Sequence, residues 1–245
     1  MFLRQIRGEE TSCRCPPPQL NIRAIARSAC NTRKSYIVVG GLGGFGFELC
    51  QWLVCRGARH LIMTSRTGVL TGYQRSVVRE WRAIGVEVNV STRNVVDAAD
   101  ADALVDEVSE RAEIAGVFNL AMVLDDGLMP NQTPERFARV AAPKVAGTKN
   151  LDAATRRVCG ATLEWFVVFS SMSCGRGNAG QANYGYANSV MERICEQRQR
   201  DGLAGMRCSV RHFVHDAVQQ TANHSVHLLF NTLYAIPFTT LHTTQ

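Results

Sequence analysis

The sequence predicts an α/β protein: a doubly wound parallel sheet with helices on both faces. Two observations lead to this prediction. Short apolar runs rich in β-branched residues alternate with longer amphipathic stretches, and a glycine-rich segment joins the first apolar run to the first amphipathic stretch. Parallel strands need a crossover connection that is usually a helix, so strict alternation favours a parallel sheet.

The strands are predicted from five apolar runs. They cover residues 36–40, 60–64, 86–90, 114–120 and 165–170. Helical periodicity follows each run, at residues 43–56, 72–84, 97–111, 133–156 and 181–200. Gly57 ends the first helix, Thr133 and Pro134 begin the fourth, and Pro143 is expected to interrupt it.

The alternation is expected to fail after Gly205. A sixth apolar run should follow, but residues 206–213 include two arginines and a histidine, which is too polar for a strand buried on both faces. We therefore expect the C-terminal strands to be missing. The chain divides into a basic, poorly ordered connector at 1–33, an incomplete domain at 34–205, and a divergent tail at 206–245. A retained intron, a frameshift or a truncated gene model would produce such a change.

Composition and charge exclude several classes of protein. The chain has 245 residues, of which 46% are hydrophobic and 20% charged, and a net charge of +6. Most of that charge lies in residues 1–34, so a nucleic-acid binder rests on the basic leader alone. Nine cysteines without a Cys-x-x-Cys pair argue against a metal site. With no secretory signal and no membrane-length apolar run, they favour the cytoplasm.

A glycine-rich loop directly follows the first predicted strand and opens the first helix. It consists of Gly40, Gly41, Leu42, Gly43, Gly44, Phe45 and Gly46. Such a loop lets a pyrophosphate approach the backbone N–H groups and the positive end of the helix, as in Rossmann-type dinucleotide sites. A glycine-rich turn without a ligand is the alternative.

Ser65 and Arg66 follow the second predicted strand, where an acid would accept a hydrogen bond from the ribose of NAD. A serine and an arginine suit a 2′-phosphate instead, which indicates NADPH. The alternative is an exposed loop arginine.

Ser171 ends the fifth predicted strand, and Tyr184 follows 13 residues later on a helix, with Asn188 four residues further on the same face. Reduction of a carbonyl needs an acid to protonate the oxygen and a donor to hold it. Tyr184 and Ser171 supply these groups, provided that a nearby cation lowers the pKa of the tyrosine. Tyr186 is the rival acid, but it has no Asn partner four residues on.

Several motifs carry a family resemblance. They are the 34–36 segment leading into the glycine loop, 117–121, 126–128, 131–134 and the run 170–178. With them, residues 34–205 closely resemble the β-ketoacyl reductase (ketoreductase) domain of animal, insect-like type I fatty acid synthase. That domain belongs to the short-chain dehydrogenase/reductase superfamily, and polyketide synthases share this branch.

The resemblance implies NADPH-dependent reduction of 3-oxoacyl thioesters to 3-hydroxyacyl thioesters in fatty acid synthesis. It implies a catalytic set of Lys144, Ser171, Tyr184 and Asn188, in which Asn188 stands where other short-chain dehydrogenases keep the lysine. Asn119 would line the nicotinamide and Asn94 would lie near the adenine. The implied partners are an acyl-carrier-protein-bound substrate and the other synthase domains, with neither nucleic acid nor membrane.

This sequence also departs from the family pattern. Val39 replaces a common threonine, and no Trp-Gly motif follows Gly205. Two alternatives therefore stay open: a catalytically inactive fragment, and a module that binds NADPH without chemistry.

Overall fold

The sheet has six parallel strands. The computed structural model describes residues 29–69 and 71–210, so residues 1–28 of the predicted connector and 211–245 of the predicted tail lie outside the described residues. The strands are β1 Ser35–Val39, β2 His60–Thr64, β3 Glu87–Ser91, β4 Ile114–Asn119, β5 Trp165–Ser171 and β6 Met206–Val210. Their order is β3-β2-β1-β4-β5-β6. This is the doubly wound Rossmann order, so the predicted fold class is confirmed.

Six α-helices connect and cover these strands. They are α1 Gly44–Cys55, α2 Gly72–Ala83, α3 Ala98–Arg111, α4 Pro134–Ala141, α5 Gly147–Val158 and α6 Ala182–Arg200. The five predicted helical segments are confirmed, the fourth of them divided into α4 and α5. Within the described ranges, no helix is both long enough and apolar enough to cross a membrane.

The alternation of side chains along β1 builds two cores. Tyr36 and Val38 pack into one apolar cluster, which contains the buried residues of α1 and α2. Ile37 and Val39 pack into the other, with buried residues of α3, α5 and α6. All four are almost fully buried, as expected for a central strand covered by helices on both faces.

The expectation that no strand follows Gly205 was wrong. Residues Met206–Val210 form β6, which pairs with β5 in parallel register. Cys208 is buried in one apolar cluster, whereas Arg207 forms ion pairs with Glu192 and Glu196 of α6. The charge that argued against a strand is thus paired with carboxylates. As the outermost strand among the described residues, β6 also does not need an apolar side chain at every position.

The predicted interruption at Pro143 is confirmed. Between α4 and α5, residues Ala142–Ala146 form a π-helical turn that contains Pro143 and Lys144. Proline cannot donate a backbone hydrogen bond, and π turns inside helices often occur at functional sites. Thr133 caps α4 by accepting a hydrogen bond from the N–H of Arg136, which confirms the predicted start of that helix.

A buried arginine ties the sheet to the helices at the end of the described chain. Arg198 of α6 is fully buried, and its guanidinium carbon lies 4.1 Å from the centre of the Phe166 ring. Its guanidinium donates to Asp152 and Thr155 of α5 and to Ala204 O, just before β6. The side chain therefore links α5, α6 and the approach to β6.

We expect Arg198→Ala to lower the free energy of unfolding by about 3–5 kcal/mol, because the change removes a buried ion pair and the packing on Phe166. Arg200→Ala changes an exposed arginine of the same helix and should shift stability by less than about 0.5 kcal/mol. Urea unfolding measures both. Equal stability of the two variants would contradict the anchoring role.

Candidate active site

The glycine loop is shaped by close backbone contacts. Gly40 has φ = +77°, a conformation that glycine adopts without strain. A Cβ at Gly46 would lie 2.4 Å from the Gly40 carbonyl oxygen, and one at Gly41 would lie 2.9 Å from the Val38 oxygen. These glycines thus let α1 pack closely on the end of β1.

The start of α1 is arranged to receive an anion. Its N-cap is Gly43, which offers no side chain to accept from the first-turn N–H groups, and a Cβ at Gly44 would meet nothing within 4 Å. Leu42 is buried and the ring of Phe45 packs edge-on against Phe169, with centroids 5.4 Å apart. The two apolar residues hold the loop, and the N–H groups of the first turn of α1 are the groups that would bind an anion there.

A cavity of about 750 Å³ lies beside this loop, at the carboxyl ends of β1, β2 and β4. Its lining includes Gly40, Gly43, Ser65, Arg66 and Asn94. Doubly wound sheets bind ligands at this edge, where the strand order reverses. The structure thus places five predicted cofactor residues around one space, which is large enough for much of a dinucleotide.

The charges around this cavity are mainly positive. Arg66, Arg93 and Arg139 all line it. Arg93 is paired with Asp100 and Glu107 of α3, and Arg139 with Asp125. Arg66 is exposed at the end of β2, as an arginine that binds a phosphate from solvent should be.

Asn119 lies behind the cavity rather than in its lining. Its Nδ2 donates to Thr148 Oγ1 (2.9 Å) and to Pro143 O (3.3 Å), and its Oδ1 accepts from the N–H of Ala121. The side chain therefore ties the end of β4 to the π-helical turn. Its predicted contact with the nicotinamide stays a prediction.

The π-helical turn directs Lys144 into the protein. Lys144 is 1% exposed, and its Nζ donates to Phe169 O of β5 at 3.0 Å. The same Nζ lies 5.1 Å from the centre of the Tyr184 ring. Burial lowers the pKa of Lys144 to about 7, a fall that Cys174 partly opposes.

Tyr184 and Asn188 lie one turn apart on α6. Asn188 is fully buried and its Nδ2 donates to Tyr184 O at 2.8 Å, while its Oδ1 has no hydrogen-bond partner in the described part of the chain. Such an atom normally has a partner, so it marks a place for a ligand or water. The structure brings Lys144, Tyr184 and Asn188 together as the resemblance implied.

The pKa of Tyr184 is raised rather than lowered in this structure. Burial raises it, and the Asn188 amide counteracts part of that rise. The expected lowering by Lys144 is absent because burial also lowers the pKa of Lys144 to about 7, which leaves this lysine largely neutral in the range where a tyrosine ionises. Tyr186, the rival acid, is 52% exposed and faces Phe137, so the structure separates the two tyrosines.

Ser171 lies at the end of β5, where a short turn leads toward α6. Its Oγ is 2.8 Å from Ser173 Oγ and also accepts from the N–H of Ser173. Ser173 in turn bonds to Gln181 at the start of α6. The serine hydroxyl is thereby held on the same edge of the sheet as Lys144.

Two further side chains, Ser173 and Asn183, support the site although no sequence motif predicts them. Asn183 is buried, donates to Asp125 O and accepts from the N–H of Tyr184. It fastens the start of α6 to the loop after β4. The only sequence signal for these two residues is the concentration of polar but mostly uncharged residues between Ser170 and Asn188.

Comparison with known proteins agrees with this geometry. The KR domain family matches residues 34–213. A 171-residue stretch is 35% identical to "Highly-reducing polyketide synthase 1" of Aureobasidium melanogenum and covers 70% of this chain and 8% of that protein. A 177-residue stretch is 40% identical to "Polyketide synthase-nonribosomal peptide synthetase TwmB" of Talaromyces wortmannii and covers 70% of this chain and 6% of that protein.

Solved structures give the same result. "Structure of A-type Ketoreductases from Modular Polyketide Synthase" aligns with a TM-score of 0.72 at 27% identity, over 84% of this chain and 46% of that one. "The first ketoreductase of the tylosin PKS" aligns with a TM-score of 0.64 at 31% identity, over 76% and 40%. The chain thus spans less than a tenth of the two curated relatives and less than half of these structures.

The pKa of Lys144 predicts a pH-dependent stability. The value in the folded protein, about 7, lies below the ordinary 10.5, so between these values the unfolded chain binds more protons. The contribution of Lys144 to the free energy of unfolding therefore rises with pH through this window. Relative to Lys144→Met, the wild type should gain about 2 kcal/mol between about pH 7 and pH 8.5.

Urea unfolding at several pH values measures this difference. Lys149→Met, which changes an exposed lysine of α5, is the control and should leave the pH dependence of the wild type unchanged. If the free energy of unfolding depended on pH in the same way for Lys144→Met and the wild type, the pKa of Lys144 would not be lowered by burial.

Proposed function

The chain belongs to the KR domain family of the short-chain dehydrogenase/reductase superfamily, and from this premise we propose that it reduces 3-oxoacyl thioesters to 3-hydroxyacyl thioesters with NADPH. The observation that carries the proposal is the meeting of Lys144, Tyr184 and Asn188 at the carboxyl edge of the sheet. The cavity lined by the glycine loop lies at that same edge.

The residues present fit NADPH. The open N-terminus of α1 and the loop Gly40–Gly46 would bind the pyrophosphate. Ser65 and Arg66 would bind the 2′-phosphate, Asn94 would lie beside the adenine, and Asn119 on the nicotinamide side. The unpaired Oδ1 of Asn188 supports a polar ligand or a water beside this residue of α6.

In the proposed reaction, bound NADPH supplies the hydride that ends on the carbonyl carbon. Tyr184 donates the proton that the carbonyl oxygen takes up, and the Ser171 hydroxyl donates a hydrogen bond to that oxygen. Lys144 would hold hydroxyl groups of the cofactor ribose and, when charged, would favour the phenolate that forms on Tyr184. Asn188 holds the tyrosine backbone and takes part in returning the proton. One 3-oxo group, one hydride and one proton would thus become one 3-hydroxyl group, and NADPH would become NADP⁺.

We further propose that the substrate is carried by an acyl carrier protein and that other synthase domains act with this one. The resemblance carried by the motif run 170–178 is the ground for proposing fatty acid synthesis of the animal type. Polyketide synthesis is the second candidate, because the relatives named above are polyketide synthases. The described cysteines are all free thiols, which supports a reducing compartment and our proposal of the cytoplasm.

An inactive fragment is a weaker candidate for this chain. Its main ground was the expected loss of the sixth strand, and β6 is present. A module that binds NADPH without chemistry remains a distinct outcome of the first experiment.

We expect Tyr184→Phe to lower the rate of NADPH oxidation with a short 3-oxoacyl thioester by about 10²–10⁴-fold, because the change removes the proton donor. Tyr186→Phe, two residues away and facing outward, should keep the rate of the wild type. Absorbance at the NADPH band measures both. Equal rates for the wild type and Tyr184→Phe would exclude the tyrosine as the acid, and a wild type that binds NADPH without turnover would support the binding module.

Arg66→Ala should weaken NADPH binding by about 10–100-fold, the usual loss for a hydrogen bond to a charged group, and leave NADH binding nearly unchanged. Arg79→Ala removes an exposed arginine of α2 outside the cavity lining and should not alter either affinity. Fluorescence titration with NADPH and with NADH measures the two affinities. An equal loss for NADPH and NADH would contradict a 2′-phosphate contact.

A further inference from the structure

A carboxylate on α6 has no part in the reaction proposed above. Tyr184, Asn188 and Glu192 are spaced by four residues, so they lie on one face of the helix. The first two belong to the proposed catalytic set. Glu192 follows one turn later, and its side chain is only 13% exposed.

Glu192 contacts one residue that precedes Ser171 in the chain and one that follows it. Its Oε1 accepts from Ser170 Oγ at 2.5 Å and lies 3.0 Å from Cys174 Sγ. Ser170 comes directly before Ser171 on β5 and is 3% exposed, and Cys174 ends the short turn that follows Ser171. One carboxylate oxygen therefore joins α6 to the strand end and to the turn.

The thiol of Cys174 completes this arrangement. Its single S–H proton faces two acceptors, Ser171 O at 2.8 Å and Glu192 Oε1 at 3.0 Å. A hydrogen bond to either acceptor holds Ser171, directly through its carbonyl or indirectly through the carboxylate. The backbone around the serine is thus restrained from both directions.

Arg207 of β6 balances the charge of this carboxylate. Its Nη1 lies 3.4 Å from Glu192 Oε2 and 2.9 Å from Glu196 Oε1. A largely buried carboxylate needs such a partner and full hydrogen bonding to offset the loss of water. The outermost described strand therefore supports the carboxylate that contacts Cys174 in the short turn after Ser171.

We propose that Glu192 is a positioning residue for Ser171, a role that rests on the proposed reduction: it fixes the end of β5 and the turn after it, and so the direction in which the Ser171 hydroxyl donates. Glu192 does not touch the substrate. Its effect is on the geometry of the donor, and displacements of about 1 Å at a reacting centre cost up to about 100-fold in rate.

The test compares Glu192→Gln with Glu196→Gln. The two changes are chemically identical, on one helix, and both alter an Arg207 contact, but only Glu192 reaches β5. Glutamine keeps the shape of the side chain and one acceptor oxygen. We expect Glu192→Gln to lower kcat at least about tenfold while the KM for NADPH stays unchanged, and Glu196→Gln to keep both values.

A second readout does not depend on turnover. Burial raises the pKa of the Cys174 thiol, and the nearby Glu192 carboxylate adds to that rise. Glu192→Gln should therefore lower the pKa of this thiol and speed its alkylation by iodoacetamide near pH 8, quantified by mass spectrometry of the Cys174 peptide. Glu196→Gln should not change the rate.

Each outcome decides one claim. Slower turnover together with faster alkylation in Glu192→Gln alone supports the proposal. Faster alkylation with the kcat of the wild type would overturn it, since the contact would exist without positioning the serine. Unchanged alkylation of Cys174 would show that Glu192 does not contact this thiol, and would also overturn the proposal. A wild type without any reduction would instead overturn the proposed function and with it the positioning role of this carboxylate.

Ser170→Ala keeps the proposal testable if Glu192→Gln does not fold. It removes the donor on β5 and leaves α6 and its ion pairs intact. We expect a fall in kcat of about threefold or more with an unchanged KM for NADPH. The kcat of the wild type in this variant would overturn the proposal.

Discussion

The burial of the Lys144 ammonium group is the constraint on which the candidate site depends. An isolated buried cation is costly unless it is hydrogen-bonded, and here Phe169 O at the end of β5 is its hydrogen-bond acceptor. An ordinary α-helix would pass Pro143 without a π-helical turn. The π-helical turn Ala142–Ala146 adds the residue that directs Lys144 inward, and the Asn119 side chain fastens that turn to β4 through Pro143 O and Thr148.

The same carboxyl edge of the sheet collects the other groups. Register places Thr64, Val39 and Asn119 side by side at the ends of β2, β1 and β4, and Ser171 ends β5 against Val210 of β6. Because the strands are parallel, every βα connection leaves from this edge. The loops therefore meet there as a consequence of the topology. The glycine loop and the short turn Met172–Cys174 after β5 are therefore neighbours by topology, although more than a hundred residues separate them in the chain.

Most of the fold followed from the sequence because its signals are local. The apolar runs of β1 to β5 and the cap of α4 lie within one or two residues of their predicted places. β6 was missed because the charge of Arg207 is paired with Glu192 and Glu196, residues on another element. Lys144 could be identified only by the family resemblance, since helical periodicity would place it on the surface. The π turn and the direction of the Tyr184 pKa depend on three-dimensional contacts that no spacing rule describes.

The pKa shifts of Lys144 and Tyr184 have the same main cause, and one change in their surroundings would oppose both. Burial lowers the pKa of Lys144 and raises that of Tyr184, so both groups favour their neutral forms. A tyrosine that keeps its proton is a competent donor, but general acid catalysis is most efficient when the pKa of the donor lies near the operating pH. Polar groups that accept hydrogen bonds from Lys144 would favour its charged form, and a charged ammonium 5.1 Å from the Tyr184 ring would then lower the pKa of the phenol. In the proposed reaction, proton donation by Tyr184 is therefore coupled to the hydrogen-bond partners of Lys144.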